Sequence, residues 1–87
     1  TAMPAAFLVQ QMELSEEVMA ARAAGDENAL DAAHQTMRHE VAEAQQELIV
    51  LIDQRHDFAA AADLVRKLMF QEKLLREIND ALEAVTL

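Results

Sequence analysis

The sequence predicts an all-α fold, an antiparallel bundle of three long helices, and three observations carry that prediction. Residue types that strands and tight turns favour are scarce, since the 87 residues include one Gly, one Pro and no Tyr, Trp or Cys. Apolar residues recur at alternating spacings of four and three over long stretches, the period of helix faces that lie against other helices. The length, finally, is near the small end of what folds without staples, and long helices are the simplest way to bury enough surface.

In chain order, Thr1 to Met3 read as a lead-in, and Pro4 suits the first turn of a helix, where its missing amide hydrogen is not needed. The first helix covers about residues 4–24, with Phe7, Leu14, Val18 and Ala21 on one line as its core stripe. Leu8, Met12 and Met19 form a second line, and Val9 lies farther round, so the apolar arc is wider than one contact needs. Gly25 provides a left-handed stop, and Asp26 directly after it can cap the next helix.

The second helix, about 27–53, has the clearest repeat: Leu30, His34, Met37, Val41, Ala44, Leu48 and Leu51. His34 is its only strongly polar member, expected as a core or boundary imidazole. The break before the third helix contains neither Gly nor Pro and is inferred from the change of stripe and from Asp57, whose carboxylate can cap a helix over 58–86. That helix carries Leu64, Leu68, Leu75, Ile78, Leu82 and Val85 on its seam, with Gln71 filling the gap. Phe70 points about 120° away from the seam. Left in water it forgoes roughly 1.5 to 3 kcal/mol of burial, which makes its position a question about function. A single domain over 1–87 is expected, with short links that return each helix beside the last.

The net charge of -9 is unevenly placed. Glu13, Glu16, Glu17, Asp26, Glu27 and Asp31 stand against Arg22 alone in the first third, whereas Arg66, Lys67, Lys73 and Arg76 gather on the last helix. Such a chain repels phosphate backbones, so no nucleic-acid partner is expected, and a partner with a basic surface is. The longest run of large apolar residues, Leu48 to Ile52, is too short to cross a bilayer. No targeting segment opens the chain, and a cytoplasmic protein without a membrane partner is expected. It begins at Thr1 with no initiator Met, as a piece of a longer protein would.

Metal and enzyme chemistry find little support. Asp31 with His34 and Asp53 with His56 each share a helical face, but the two pairs lie about six turns apart on one helix. His39, Glu40 and Glu43 echo a zinc-hydrolase helix without its second His. His39 and His56 are expected to be solvated. There is no Cys, no glycine-rich phosphate loop and no Ser beside a base, so no catalytic residue, metal ligand or cofactor is expected. What remains is surplus apolar surface: Leu8, Val9 and Met12 on the first helix and Phe70 on the third, with Glu13, Glu16 and Glu17 beside the first group. Adaptable apolar contacts with an acidic rim point to a protein-binding face.

Two segments carry a resemblance. Ala6-Phe7-Leu8-Val9-Gln10-Gln11-Met12-Glu13-Leu14-Ser15-Glu16-Glu17 and Ala60-Ala61-Ala62-Asp63-Leu64-Val65-Arg66-Lys67-Leu68-Met69-Phe70, separated by a long helix, resemble the C-terminal domain of HscB, the J-type co-chaperone of bacterial iron-sulfur cluster assembly. The resemblance implies a non-catalytic three-helix bundle that holds the cluster scaffold protein IscU. An N-terminal J domain, whose His-Pro-Asp motif is absent from this chain, would engage the ATPase chaperone HscA. Carried over by position, the implied scaffold contacts are Leu8, Val9, Met12 and Phe70 with Glu13 and Glu16 as charged neighbours. Ser15 departs from the basic residue that close relatives would carry, Val9 from a frequent Met and Ala20 from an acidic contact. Two rivals use the same patch: a self-associating bundle that forms a homo-oligomer, and an intramolecular contact with the missing J domain.

Overall fold

The computed structural model describes residues 3–87, so the lead-in expected at Thr1 and Ala2 lies outside the described residues. It contains three helices, α1 (Ala5–Ala24), α2 (Glu27–Ile49) and α3 (Phe58–Thr86), with a π-helical turn over Val50–Gln54 at the end of α2. Each helix packs on both others, in an up-down-up bundle. Its long dimension, 45 Å, is close to that of α3 itself, whose 29 residues rise about 43 Å.

The ends of the helices follow from local chemistry. Pro4 is extended at φ -56° and ψ 133° and sits just outside α1 rather than in its first turn, while its carbonyl accepts from Leu8 N–H at 3.2 Å. Gly25 adopts φ +66°, its N–H donating to the Arg22 carbonyl and that of Asp26 to the Ala21 carbonyl. This is the paired closure that a left-handed glycine allows. Asp26 and Asp57 cap α2 and α3, each accepting through Oδ1 from the backbone N–H three residues on, at 3.1 Å.

The link between α2 and α3 differs from the expectation. Regular α geometry stops at Ile49, four residues before the expected end, and the helix widens so that Arg55 N–H reaches the Val50 carbonyl and Asp57 N–H the Leu51 carbonyl. His56 makes the reversal in the left-handed region, at φ +50°. No glycine is available there, so a residue with a side chain takes a conformation that costs about 1 to 2 kcal/mol.

The core runs along the α2–α3 seam and closes onto α1 at one place. Leu30, Met37 and Ile78 are wholly buried, with Val41, Ala44, Leu68, Leu74 and Ala81 around them. Val18 is the one buried residue of α1. The α2 repeat appears as expected, with His34 and Leu48 only half-buried at its edge. On α3 the buried arc is wider than the expected seam, because the helix is covered on two sides: Leu74, Ala61 and Ala81 are buried, while Leu64, Leu75, Leu82 and Val85 are partly so. Phe7 does not join the core stripe. It is half-buried and lies against Phe70 instead.

Candidate protein-binding face

The face is built where α1 and α3 run side by side. The rings of Phe7, near the start of α1, and Phe70, toward the middle of α3, meet edge to face, centroids 6.3 Å apart. Farther along, Ser15 Oγ donates to Glu77 Oε2 at 3.5 Å. Both contacts advance in the same sense along the two helices, so α1 and α3 are parallel, and both run against α2.

Between those two contacts lies an open groove of about 350 Å³. Leu8, Gln11, Met12 and Ser15 line one wall; Phe70, Lys73, Leu74 and Glu77 line the other. On each helix these positions follow the same i, i+3, i+4, i+7 pattern, so each wall is a single helical face. Leu74 is the buried floor, Leu8 is half-buried, and Met12 and Phe70 keep 63% and 44% of their surface exposed. By contrast, Ile78 and Met37 at the seam retain none.

Electrostatics divide the groove along its length. Lys67 Nζ stands 5.8 Å from the centroid of the Phe7 ring, within the range of cation–π attraction, and marks the starting end as basic. Lys73 lies midway, and Glu77 closes the far end. Gln11 Oε1 is shut off from solvent with no hydrogen-bond partner among the described residues, as is Gln71 Oε1 on the α3 seam. Each such oxygen costs about 1 to 3 kcal/mol.

Of the residues expected at the site, Leu8, Met12 and Phe70 come together in this groove. Val9, Glu13 and Glu16 are exposed on α1 but outside its lining, Val9 at 52%. The groove also recruits residues that were not singled out. Gln11 and Ser15 lie within the quoted α1 segment, and Lys73, Leu74 and Glu77 are reached by stepping three, four and seven residues on from Phe70. That signal was present in the sequence, but it acquires meaning only once α1 is known to lie along α3.

The histidines and carboxylates are scattered. No group of three or more His, Asp or Glu residues close enough to hold a metal ion occurs among the described residues. His39 Nε2 lies 2.6 Å from Glu43 Oε1 in an exposed pair on α2, and exposed His56 tilts against the ring of Phe58. No helix of the described residues is long and apolar enough to cross a membrane.

Fold and groove define a small all-α domain of three helices with an apolar cleft between its first and last. The chain belongs to the family of the HscB C-terminal oligomerisation domain, whose profile matches residues 3–79. Among named relatives, it is 55% identical over 85 residues to the co-chaperone protein HscB homolog of Aromatoleum aromaticum, covering 98% of this chain and 48% of that protein. The corresponding HscB homolog of an Azoarcus species is 47% identical over 85 residues, with the same coverage of each chain. That of Ralstonia nicotianae is 46% identical over 83 residues, covering 95% of this chain and 47% of the relative. The chain thus spans about half the length of the curated relatives it matches. No solved structure matches it significantly.

Proposed function

We propose that this chain is the substrate-holding half of a co-chaperone of iron-sulfur cluster assembly. It binds the cluster scaffold protein, IscU-like, in the α1–α3 groove, for delivery to an HscA-like ATPase chaperone in the cytoplasm. The observation that carries the proposal is the set of half-buried Leu8 with exposed Met12 and Phe70 around a single cleft, on a chain of the HscB C-terminal family. Partially exposed aromatic and Met side chains around a pocket are the groups that contribute most when a complementary surface covers them. Val9, Glu13 and Glu16 extend the contact along the outer side of α1, where carboxylates select a basic rim on the partner.

The domain holds its partner and performs no covalent chemistry. A J domain joined to it would bring chaperone and scaffold together by raising their effective concentration. Calorimetric titration with the scaffold protein tests the proposal, with saturable binding expected and a loss of about 1 to 3 kcal/mol in Phe70→Ala. A folded wild-type domain that releases no binding heat and gives no saturation would defeat it.

Self-association is a second reading, favoured by the family's description as an oligomerisation domain and by a separate apolar line on the outer face of α3. Phe58, Val65 and Met69 on that line are 63%, 40% and 65% exposed. Sedimentation over a range of concentrations tests it, with concentration-dependent size expected; a dimer through this line leaves the α1–α3 groove free for the scaffold, so the two functions are compatible.

A further inference from the structure

Glu77 lies across the groove from α1, at the end away from Phe70. It is half-buried, and the contact its carboxylate makes is the long hydrogen bond from Ser15 Oγ. The ion pairs of the described residues, His39 with Glu43 and Arg66 with Asp63, are elsewhere. Lys73, one turn earlier on the same wall, does not close on Glu77 within ion-pair distance. A Lys four residues before a Glu is the weaker order for such a pair on a helix. A carboxylate partly withdrawn from water, at the mouth of an apolar cleft, therefore stands without a cation.

Resting on the partner-holding function proposed above, the geometry points to Glu77 as a specificity-determining residue that receives a Lys or Arg side chain of the bound protein. Glu13 and Glu16 are exposed on α1 outside the groove lining, so Glu77 adds an acidic group on α3, within the groove itself, to those on the outer side of α1. The arrangement also sets a spacing. Phe70 and Glu77 are about two turns apart, on the order of 10 Å along α3. The occupant must present an apolar side chain and a basic one at that separation, which residues seven apart on a helix or three apart on an extended strand provide. Beyond the Ser15–Glu77 contact the surface continues into a smaller cleft of about 200 Å³ past Arg22 and Asp80, so a longer segment has room to follow.

The test is calorimetric titration of an IscU-like scaffold protein into the wild-type domain and into Glu77→Gln, Glu77→Asp and Phe70→Ala, each at low and high salt. Thermal unfolding is run beside it to establish that every variant is folded. Glu77→Gln is expected to bind about three- to tenfold more weakly at low salt, with the difference shrinking as salt screens the pair. Glu77→Asp, which keeps the charge, recovers most of the affinity and the salt dependence. Phe70→Ala binds more weakly at both salt concentrations. Equal affinity and equal salt dependence for wild type and Glu77→Gln, with Phe70→Ala still weakened, would overturn the role of Glu77 and leave the partner-holding function standing. Absence of wild-type binding would remove both.

Discussion

The two long contacts of α3 are built to different standards. Against α2 it meets Leu30, Met37, Val41 and Ala44, all buried, in a seam that includes the wholly buried Ile78. Against α1 it is sealed at Val18 but splayed toward the start, where Leu8, Met12 and Phe70 surround an open cleft. Both helices that face α3 had apolar residues enough for a closed seam. The difference is that α2 places its apolar residues on one narrow line, while α1 spreads Phe7, Leu8, Val9 and Met12 over a wide arc that one neighbour cannot cover. Stability is therefore concentrated on one side of α3 and available contact surface on the other.

The largest expected effect separates the two sides. Ile78→Ala should lower the stability of the domain by about 2 to 5 kcal/mol in denaturant unfolding, because it opens a cavity at a site with no exposed surface. The affinity of the molecules that remain folded should be unchanged. Leu8→Ala should do the reverse, weakening scaffold binding by about 1 to 3 kcal/mol while circular dichroism shows full helicity. Phe70→Ala is the intermediate case: besides its effect on binding, it removes the edge-to-face contact with Phe7, and a stability loss of about 0.5 to 1.5 kcal/mol is expected.

Smaller effects sharpen the boundary between the regions. Asp57→Ala removes the cap of α3 and should cost about 1 kcal/mol with no change in binding. His56→Gly should raise the free energy of unfolding by about 0.5 to 1 kcal/mol in denaturant unfolding, since a left-handed residue with a side chain is relieved at the link of α2 and α3.

The same contrast decides what could be read from the residues. The α2 stripe was legible position by position, because Leu30, Met37, Val41, Ala44 and Leu51 face one neighbouring helix at one period. Gly25, Asp26 and Asp57 announced their turns and caps through chemistry that is local to a few residues. On α3 the seam was read too narrowly. Leu74 and Ala81 are buried because a second helix covers them, and a single-stripe projection does not see a second neighbour. Phe7 was placed in the core for a related reason, as the splay of α1 near its start depends on the packing of the whole bundle.

The link through Val50–Gln54 and left-handed His56 carried no Gly or Pro signal at all. Leu8, Val9, Met12 and Phe70 stood out as surplus to the stripes with Glu13 and Glu16 beside them, and the resemblance pointed to the same residues, of which Leu8, Met12 and Phe70 line the groove. Lys73, Leu74 and Glu77 became part of the site only through the parallel alignment of α1 and α3, which no local pattern contains.

The most direct test follows backbone amide resonances of the isotope-labelled domain as the IscU-like scaffold protein is added. The division between the two sides of α3 predicts shifts concentrated at residues 8–16 of α1 and 70–77 of α3, with the α2 seam from Leu30 to Ala44 nearly silent. Shifts centred on α2, or on the outer line of Phe58, Val65 and Met69, would contradict it.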